Sequence, residues 1–176
     1  MKKLMLALLP LLLGACAAGA GRDFASNPSQ YGLYVAQVNV YMDTPVAVKN
    51  ADTGEIVAIK VRHYGGAQDG YLVESLPPGR YLLESYTPDG VTAYPLETAN
   101  GYFNVQADCF NYGGRYDFGV DADGKPSYTN STTLKDIESL PGNIRSYARG
   151  RDICASGMGK DSDRLAAADV QGNLSL

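Results

Sequence analysis

Hydrophobic and polar residues alternate along much of the chain, and the first clear case begins at Tyr34. One parity is apolar and is occupied by Tyr34, Ala36, Val38, Val40 and Met42. The opposite parity carries the polar residues Gln37 and Asn39. A period of two over this length predicts a β-strand with one buried and one solvated face.

The same period returns in later segments that are separated by turn residues. Val57, Ile59 and Val61 share an apolar face, and the NADTG sequence before them has the residues of a tight turn, so the segments on either side should form a hairpin. Further strands are expected at 71–75, 81–87, 102–107, 114–121 and 126–130. About 7–8 short strands at this spacing favour an antiparallel β-sandwich or a barrel.

From residue 132 the apolar spacing becomes helical. The apolar positions are Leu134, Ile137, Ile144 and Tyr147, and Thr132 or Thr133 is the expected N-cap. Pro141 should split this segment into two short helices. We therefore expect one mainly β domain over 31–156 with a short C-terminal helical segment, and after it a mobile tail over 157–176.

The N-terminus has an apolar run without a second parity. After MKK, about ten apolar residues occupy 4–13, which is too short for the roughly 20 residues of a membrane-spanning helix. The run ends in LGAC, residues 13–16, which resembles the lipobox of bacterial lipoproteins: a branched apolar residue, two small residues and a cysteine. Residues 1–15 are accordingly predicted to be a lipoprotein signal peptide.

The lipobox resemblance implies cleavage between Ala15 and Cys16, a diacylglycerol on the Cys16 sulfur, and a further acyl chain such as palmitate on the new amine. Two or three chains anchor a protein stably, whereas one does so only marginally. Ala17 replaces the Asp that favours inner-membrane retention in enteric lipoproteins, so the expected location is the periplasmic face of the outer membrane. The small and polar residues of 16–30 should form a flexible tether.

Two further cysteines, Cys109 and Cys154, lie in the predicted domain. Exported compartments permit disulfides, so we expect these two to be paired and to hold the helical segment on the sheet. The alternative is a pair of free, buried thiols.

A second resemblance covers about residues 34–120. An apolar strand, then LPPGRY (residues 76–81), then another strand looks like the repeat unit of transthyretin-like and carboxypeptidase-regulatory-like β-sandwiches, in which the turn passes the chain to a neighbouring strand. GYFNVQADCFNYGGRYDF, residues 101–118, resembles the segment after that unit in small envelope lipoproteins that carry such a domain. The resemblance implies a sandwich and is nearly silent on activity.

The net charge, and the residues available for catalysis and metal binding, make several classes of function unexpected. The net charge is −4, and because two of the 15 Lys and Arg residues are in the leader, the mature chain has 13 basic and 19 acidic residues, a net charge of −6. We expect no nucleic-acid partner, since phosphates require a basic face. His63 is the sole histidine, and it is expected at a strand end with a backbone hydrogen bond. No G-x-S-x-G motif occurs, and 121–124 is expected to be a hairpin turn, not a calcium loop.

The expected function combines the anchor with this chemistry. We expect no catalytic residue, no metal, no cofactor and no enzymatic activity. The prediction is a non-enzymatic binding or scaffolding module in a cell-envelope assembly that contacts an envelope protein, with a secretion-system accessory as a specialised version. The alternative is a ligand-binding module for peptidoglycan, a glycan or a small molecule. The 13 tyrosines could supply a binding face if several cluster on one surface.

Overall fold

The computed structural model describes residues 22–40, 44–64, 69–89, 91–96, 102–131 and 135–156. The predicted signal peptide, Cys16, Met42, the helix N-cap at Thr132 or Thr133, and the predicted tail over 157–176 lie outside the described residues.

Short strands make up most of the described chain. The strands are β1 Gly32–Val38, β2 Pro45–Asn50, β3 Ile56–Arg62, β4 Gly70–Leu76, β5 Gly79–Tyr86, β6 Tyr94–Pro95, β7 Phe103–Val105, β8 Cys109–Val120, β9 Pro126–Ser131 and β10 Asp152–Ala155. The helices are α1 Arg22–Ser26, α2 Lys135–Glu138 and α3 Gly142–Arg145, and a 3-10 helix covers Ser146–Ala148. The mainly β fold class is confirmed, and so are the two short helices on either side of Pro141.

The described strands form one mixed sheet of ten strands, not an antiparallel one. The order is β10-β8-β1-β4-β3-β2-β5-β6, with β7 beside β5 and β9 beside β8. Both β1 and β10 run parallel to β8, whereas the other described pairs are antiparallel. The antiparallel prediction is wrong at these two pairs because alternation marks a strand without giving its direction. The parallel partners are far apart along the chain, since residues 39–108 separate β1 from β8 and residues 121–151 separate β8 from β10, and connections of this length permit parallel pairing.

The predicted turns are of two kinds: two of them join neighbouring strands as hairpins, and one does not. The β2–β3 hairpin around NADTG and the β8–β9 hairpin are both present. In the second hairpin, Oδ1 of Asp121 accepts the backbone N–H groups of Asp123 and Lys125, each at 2.9 Å. The turn at Pro77 and Pro78 does not join neighbouring strands: β4 pairs with β1 and β3, whereas β5 pairs with β2, β6 and β7. Two prolines lack the N–H donors that would continue a ladder.

The main core lies where distant parts of the sheet face each other. The ring of Tyr86 in β5 stacks on Phe118 in β8 with centroids 5.0 Å apart, and Tyr34 in β1 stacks on Phe103 in β7 at 4.4 Å. Because β5 and β8 are several strands apart in the sheet order, these contacts require the sheet to curl over on itself. Its two halves therefore enclose one hydrophobic cluster.

A second core lies on the opposite face of the β1–β4–β8 part. The helices and the link between α2 and α3 contribute Phe24, Ile137, Leu140, Ile144 and Ala148, which pack on Leu33, Val35, Tyr71, Val73, Phe110 and Tyr112. Strand β1 is consequently buried on both faces, although its polar residues predicted one solvated face. Leu33 and Val35 lie on the face that was expected to be solvated. They explain the difference, because the helix layer covers this face and packs on them.

Helix α1 differs from the predicted tether over 16–30. Phe24 is fully buried in the second core, and its backbone N–H donates to Oγ of Ser75 at 3.1 Å. The guanidinium of Arg151 lies 4.4 Å from the centre of the Phe24 ring. Burial of one such side chain contributes about 1.5–3 kcal/mol. Residues 22–26 of the predicted tether are therefore packed on the described domain. A five-residue helix with one large apolar side chain shows no helical periodicity in the sequence, so the pattern did not predict it.

The predicted Cys109–Cys154 disulfide is present. Cys109 begins β8 and Cys154 lies in the neighbouring β10, with Cα atoms 6.0 Å apart. The two positions are 45 residues apart, and closing a loop of this length is worth roughly 4 kcal/mol in the chain-entropy description. The loop contains α2 and α3, so the bond fixes the chain beyond the helices to the sheet.

The packing of Tyr34 requires a glycine in β8. A bulge places Gly113 and Gly114 opposite Ala36, and Gly114 has a φ of 79°. A Cβ at Gly113 would lie 2.8 Å from the ring of Tyr34, whose buried hydroxyl donates to the hydroxyl of Tyr116 at 3.0 Å. The bulge therefore makes room for a fully buried tyrosine.

We predict that Gly113→Ala lowers the free energy of unfolding by about 1–3 kcal/mol, because the added methyl group must displace the Tyr34 ring. Gly119→Ala is the matched control, since a Cβ at Gly119 meets no atom within 4 Å. Urea denaturation of the purified proteins measures both changes. Equal midpoints for the two variants would contradict the packing argument.

A second prediction concerns alkaline pH. Seven tyrosines are buried, namely Tyr34, Tyr71, Tyr81, Tyr86, Tyr112, Tyr116 and Tyr128. Burial raises the pKa of Tyr34 and of Tyr116 well above that of a solvated tyrosine, so the unfolded chain loses these protons first. The contribution of these hydroxyls to the free energy of unfolding is fully present below pH about 10. As the pH rises further, it should fall by about 1.4 kcal/mol per pH unit for each buried hydroxyl.

Urea midpoints measured between neutral pH and strongly alkaline pH test this expectation. The Tyr34→Phe, Tyr116→Phe double variant should lose less stability over the alkaline part of that range. A wild-type midpoint that stays constant into strongly alkaline solution would show that these hydroxyls ionise without cost.

Candidate functional site

The predicted site residues lie in separate parts of the chain. The lipid-attachment residue Cys16 and the cleavage residue Ala15 lie outside the described residues. The disulfide Cys109–Cys154 lies between two strands at one side of the sheet. His63 comes directly after β3 and is half-buried, and its Nε2 atom is buried without a hydrogen-bond partner, so the expected backbone bond is absent at that atom.

A polar network lies near the end of β1. Nη1 of Arg115 is 2.8 Å from Oδ2 of Asp69, Nη2 is 3.2 Å from Oδ1, and Nε is 2.9 Å from Oδ1 of Asp117. The side-chain amide of Gln37 donates to the same Asp69 carboxylate at 2.8 Å. The hydrogen bond to Asp69 raises the pKa of Arg115. All of these polar groups are engaged with one another, which suits a structural role.

At the end of β3, by contrast, an arginine lies close to several tyrosines. Arg62, the last residue of β3, pairs with Tyr71 of β4, and the Tyr71 ring is 5.8 Å from the ring of Tyr64. Burial raises the pKa of Tyr64, the Arg62 guanidinium acts in the opposite direction, and Tyr147 also raises it. These interactions place the end of β3 next to the 3-10 helix that comes after α3.

We define the arginine–tyrosine surface as Arg62, Tyr64 and Tyr147, because Arg62 and Tyr147 both act electrostatically on Tyr64. Tyr64 and Tyr147 are half-buried and pack against the second core, and Ile144 places α3 in that same core. The Nε atoms of Arg62 and Arg145 are both buried and have no hydrogen-bond partner among the described residues. A buried donor without a partner costs about 1–3 kcal/mol, so these two positions lower the stability of the described fold.

Glu74 lies beside this surface, where β3 leaves β4. The two strands pair only at Val61–Leu72 and Arg62–Tyr71, and the rest of β3 pairs with β2. Oε1 of Glu74 accepts the backbone N–H of Ser75 at 3.1 Å. Burial raises the pKa of the Glu74 carboxyl, whereas the Ser75 hydrogen bond and Arg62 act in the opposite direction. The Glu74 carboxylate is thus already occupied by a backbone hydrogen bond within β4.

Two arginines elsewhere on the described surface, Arg151 and Arg80, are paired with aspartates. A shallow depression is lined by Asp108, Arg149, Gly150, Arg151 and Asp152, and there Nη1 of Arg151 is 2.8 Å from Oδ1 of Asp108. On the other half of the sheet, Nη2 of Arg80 is 2.6 Å from Oδ1 of Asp52, and its guanidinium lies over the Tyr102 ring at 5.2 Å.

The tyrosines do not form one exposed face in the described chain. Seven are buried, and those with large exposed fractions are Tyr94 (37%) and Tyr102 (48%), which belong to different segments beside β5. The half-buried tyrosines of the arginine–tyrosine surface are the ones that accompany Arg62.

The described residues give two further findings. They contain no group of three or more His, Cys, Asp and Glu side chains placed to hold a metal ion. The helices among them are too short or too polar to cross a bilayer.

Sequence reasoning alone assigns no role to the residues of this surface. Arg62 is expected only on the solvated face of a strand, and Tyr64 and Tyr147 are two tyrosines among 13. The available signal is an arginine two residues before a tyrosine, as in Arg62 and Tyr64 at the end of β3. Its meaning depends on whether a carboxylate of the same chain reaches the guanidinium.

Comparisons with known proteins leave the family open. No protein-family model and no curated protein matches the chain. Among solved structures, the chain is similar to a leucine-rich repeat protein from Bacteroides thetaiotaomicron, with 13% identity and a TM-score of 0.35. The match covers 64% of this chain and 16% of that protein's length. A similarity of this size carries no argument about fold or activity.

Proposed function

We propose that this chain is a bacterial lipoprotein, anchored through Cys16 to the periplasmic face of the outer membrane, that acts by binding another envelope protein and not by catalysis. The observation that carries the proposal is the arginine–tyrosine surface, where two half-buried tyrosines accompany Arg62 beside the second core. Arginine and tyrosine are enriched among the residues that dominate protein–protein binding energy. The lipobox resemblance supplies the anchor.

For the fold, we interpret the curled sheet as a β-sandwich of the transthyretin-like kind, with a helix layer added on one face. The stacking of Tyr86 on Phe118 supports this interpretation, because it joins strands that are far apart in the sheet order. The parallel pairs at β8 are a departure from a purely antiparallel sandwich.

The proposed anchor at Cys16 and the packing of α1 together limit the distance between the domain and the bilayer. Cys16 and Phe24 are eight residues apart, so even a fully extended chain spans at most about 29 Å between them. Because Phe24 is buried in the second core, the helix-covered face stays close to the bilayer. A partner at this face would belong to the membrane-proximal part of the envelope.

Lipidation of Cys16 is the first test. Mass spectrometry of membrane-extracted protein should show an N-terminal peptide that begins at Cys16 and carries acyl chains, and Cys16→Ser protein should leave the membrane fraction. An intact Met1 peptide, or Cys16→Ser protein that stays in membranes, would count against the anchor.

Site-specific photo-crosslinking tests the contact surface. A benzophenone amino acid at position 147 should yield an adduct with one envelope protein, whereas the same amino acid at position 102 should not, because Tyr102 is exposed on the other half of the sheet. Tyr147→Ala should weaken that complex by about 2 kcal/mol, or roughly 30-fold in Kd. Equal adducts at both positions, or none in intact cells, would refute the surface.

A further inference from the structure

We propose that the Cys109–Cys154 disulfide holds residues 22–31 on the domain, so that reduction of this bond releases them. Residues 22–31, which we call the N-terminal segment, contain α1 and lead into β1. The release requires only the described fold. Its effect on the distance between the domain and the bilayer rests on the proposed anchor at Cys16.

The N-terminal segment depends on docking because α1 is too short to be stable alone. It has five residues, and isolated helices of fewer than about 12 residues are marginal in water. The Phe24 side chain of this helix is fully buried in the second core. The stability of the segment therefore comes from the groups that cover Phe24 and from the hydrogen bonds that other parts of the chain make to it.

One part of the segment is held by the residue before Cys109. The backbone N–H of Asp108 donates to the carbonyl oxygens of Pro28, at 2.7 Å, and Tyr31, at 3.1 Å. Asp108 is the one non-glycine residue of the described chain with a positive φ, 55°. Such residues keep this conformation where the surrounding structure fixes them, and the disulfide fixes the neighbouring Cys109.

Another part is covered by the residue three positions before Cys154. The guanidinium of Arg151 lies 4.4 Å from the centre of the Phe24 ring, and its Nη1 atom is 2.8 Å from Oδ1 of Asp108. Arg151 thus links the cover of Phe24 to the residue that binds the carbonyl oxygens of the segment. A partly exposed ion pair adds little stability, so the packing of the guanidinium on the ring is the larger contribution.

The disulfide keeps Arg151 in this place because β10 has few other contacts. β10 is four residues long, and its partner among the described strands is β8. Just beyond its far end, Ser156 donates its backbone N–H to the carbonyl oxygen of Tyr112 at 2.8 Å. Without the disulfide, β10 therefore opens first at the end next to Arg151, and this opening withdraws the guanidinium from the Phe24 ring.

Reduction requires a dithiol, such as that of a thiol–disulfide oxidoreductase. Cys109 is 2% exposed whereas Cys154 is half-buried, so the attacking thiolate reaches the Cys154 sulfur. The S–S bond breaks, Cys109 leaves as a thiolate, and a mixed disulfide forms at Cys154. The second thiol of the reductant then displaces Cys154. The reductant becomes a disulfide, and its two electrons and two protons pass to the two cysteines.

Release of the segment would lengthen the connection to the proposed anchor. The first residue still held would be Gly32, at the start of β1, which lies 16 residues after Cys16. A fully extended chain of this length spans at most about 58 Å, twice the limit that applies while Phe24 is docked. Reduction would therefore let the domain reach partners farther from the bilayer.

Hydrogen–deuterium exchange of the purified full-length protein tests the proposal. Reduction with dithiothreitol should make the peptide that covers 22–31 exchange about tenfold faster or more, while peptides from β2 and β3 keep their rates. Arg151→Ala should accelerate exchange in 22–31 with the disulfide intact. Arg149→Ala is the matched control, because Arg149 is an exposed arginine of the same depression.

The proposal is overturned if 22–31 exchanges at the same rate before and after reduction. Acceleration across the whole domain would also overturn it, since the disulfide would then stabilise the entire fold and not this segment. So would an equal effect of Arg149→Ala and Arg151→Ala. The Cys109→Ser, Cys154→Ser double variant should exchange like the reduced protein, and oxidised-like rates in it would contradict the role of the bond. These rates do not depend on acylation of Cys16, so failure of the anchor would be recognised separately.

Discussion

The two-sided burial of β1 is the constraint on which the rest of the structure depends. Leu33 and Val35 point to the helix layer, whereas Tyr34 and Ala36 point into the main core. Such a strand must have neighbours on both edges and a layer on each face, which β4, β8, the curled half of the sheet and the helices supply. The bulge at Gly113 lets β8 approach despite the bulk of the Tyr34 ring.

The strands and hairpins could be predicted from the sequence where alternation and turn residues agree. NADTG between two alternating segments, and DADGK before β9, led to the correct hairpins. The parallel pairs of β8 could not be predicted in this way, because direction depends on long connections that bring distant segments together. Helix α1 was missed for a related reason: Phe24 contributes by docking on Ser75 and Arg151, which are remote in sequence.

The candidate site was less accessible to sequence reasoning than the fold. Arg115 and Arg62 both stand among aromatic residues in the sequence, yet one is surrounded by Asp69 and Asp117 and the other has a buried Nε without a partner. Whether an arginine forms an ion pair depends on how close the fold brings it to carboxylates from other parts of the chain. The disulfide was predictable because the two cysteines of a domain that is expected to be exported have a single way to pair.

The disulfide has a consequence for the time at which the domain becomes stable. A typical domain is stable by only about 5–15 kcal/mol, so a bond worth roughly 4 kcal/mol is a large share of the total. While Cys109 and Cys154 are reduced, as they are in a reducing cytoplasm, β10 and the helices before it are held by noncovalent contacts alone. If the chain is exported as proposed, it is easier to unfold before transport, and oxidation afterwards adds the contribution of the disulfide to its stability.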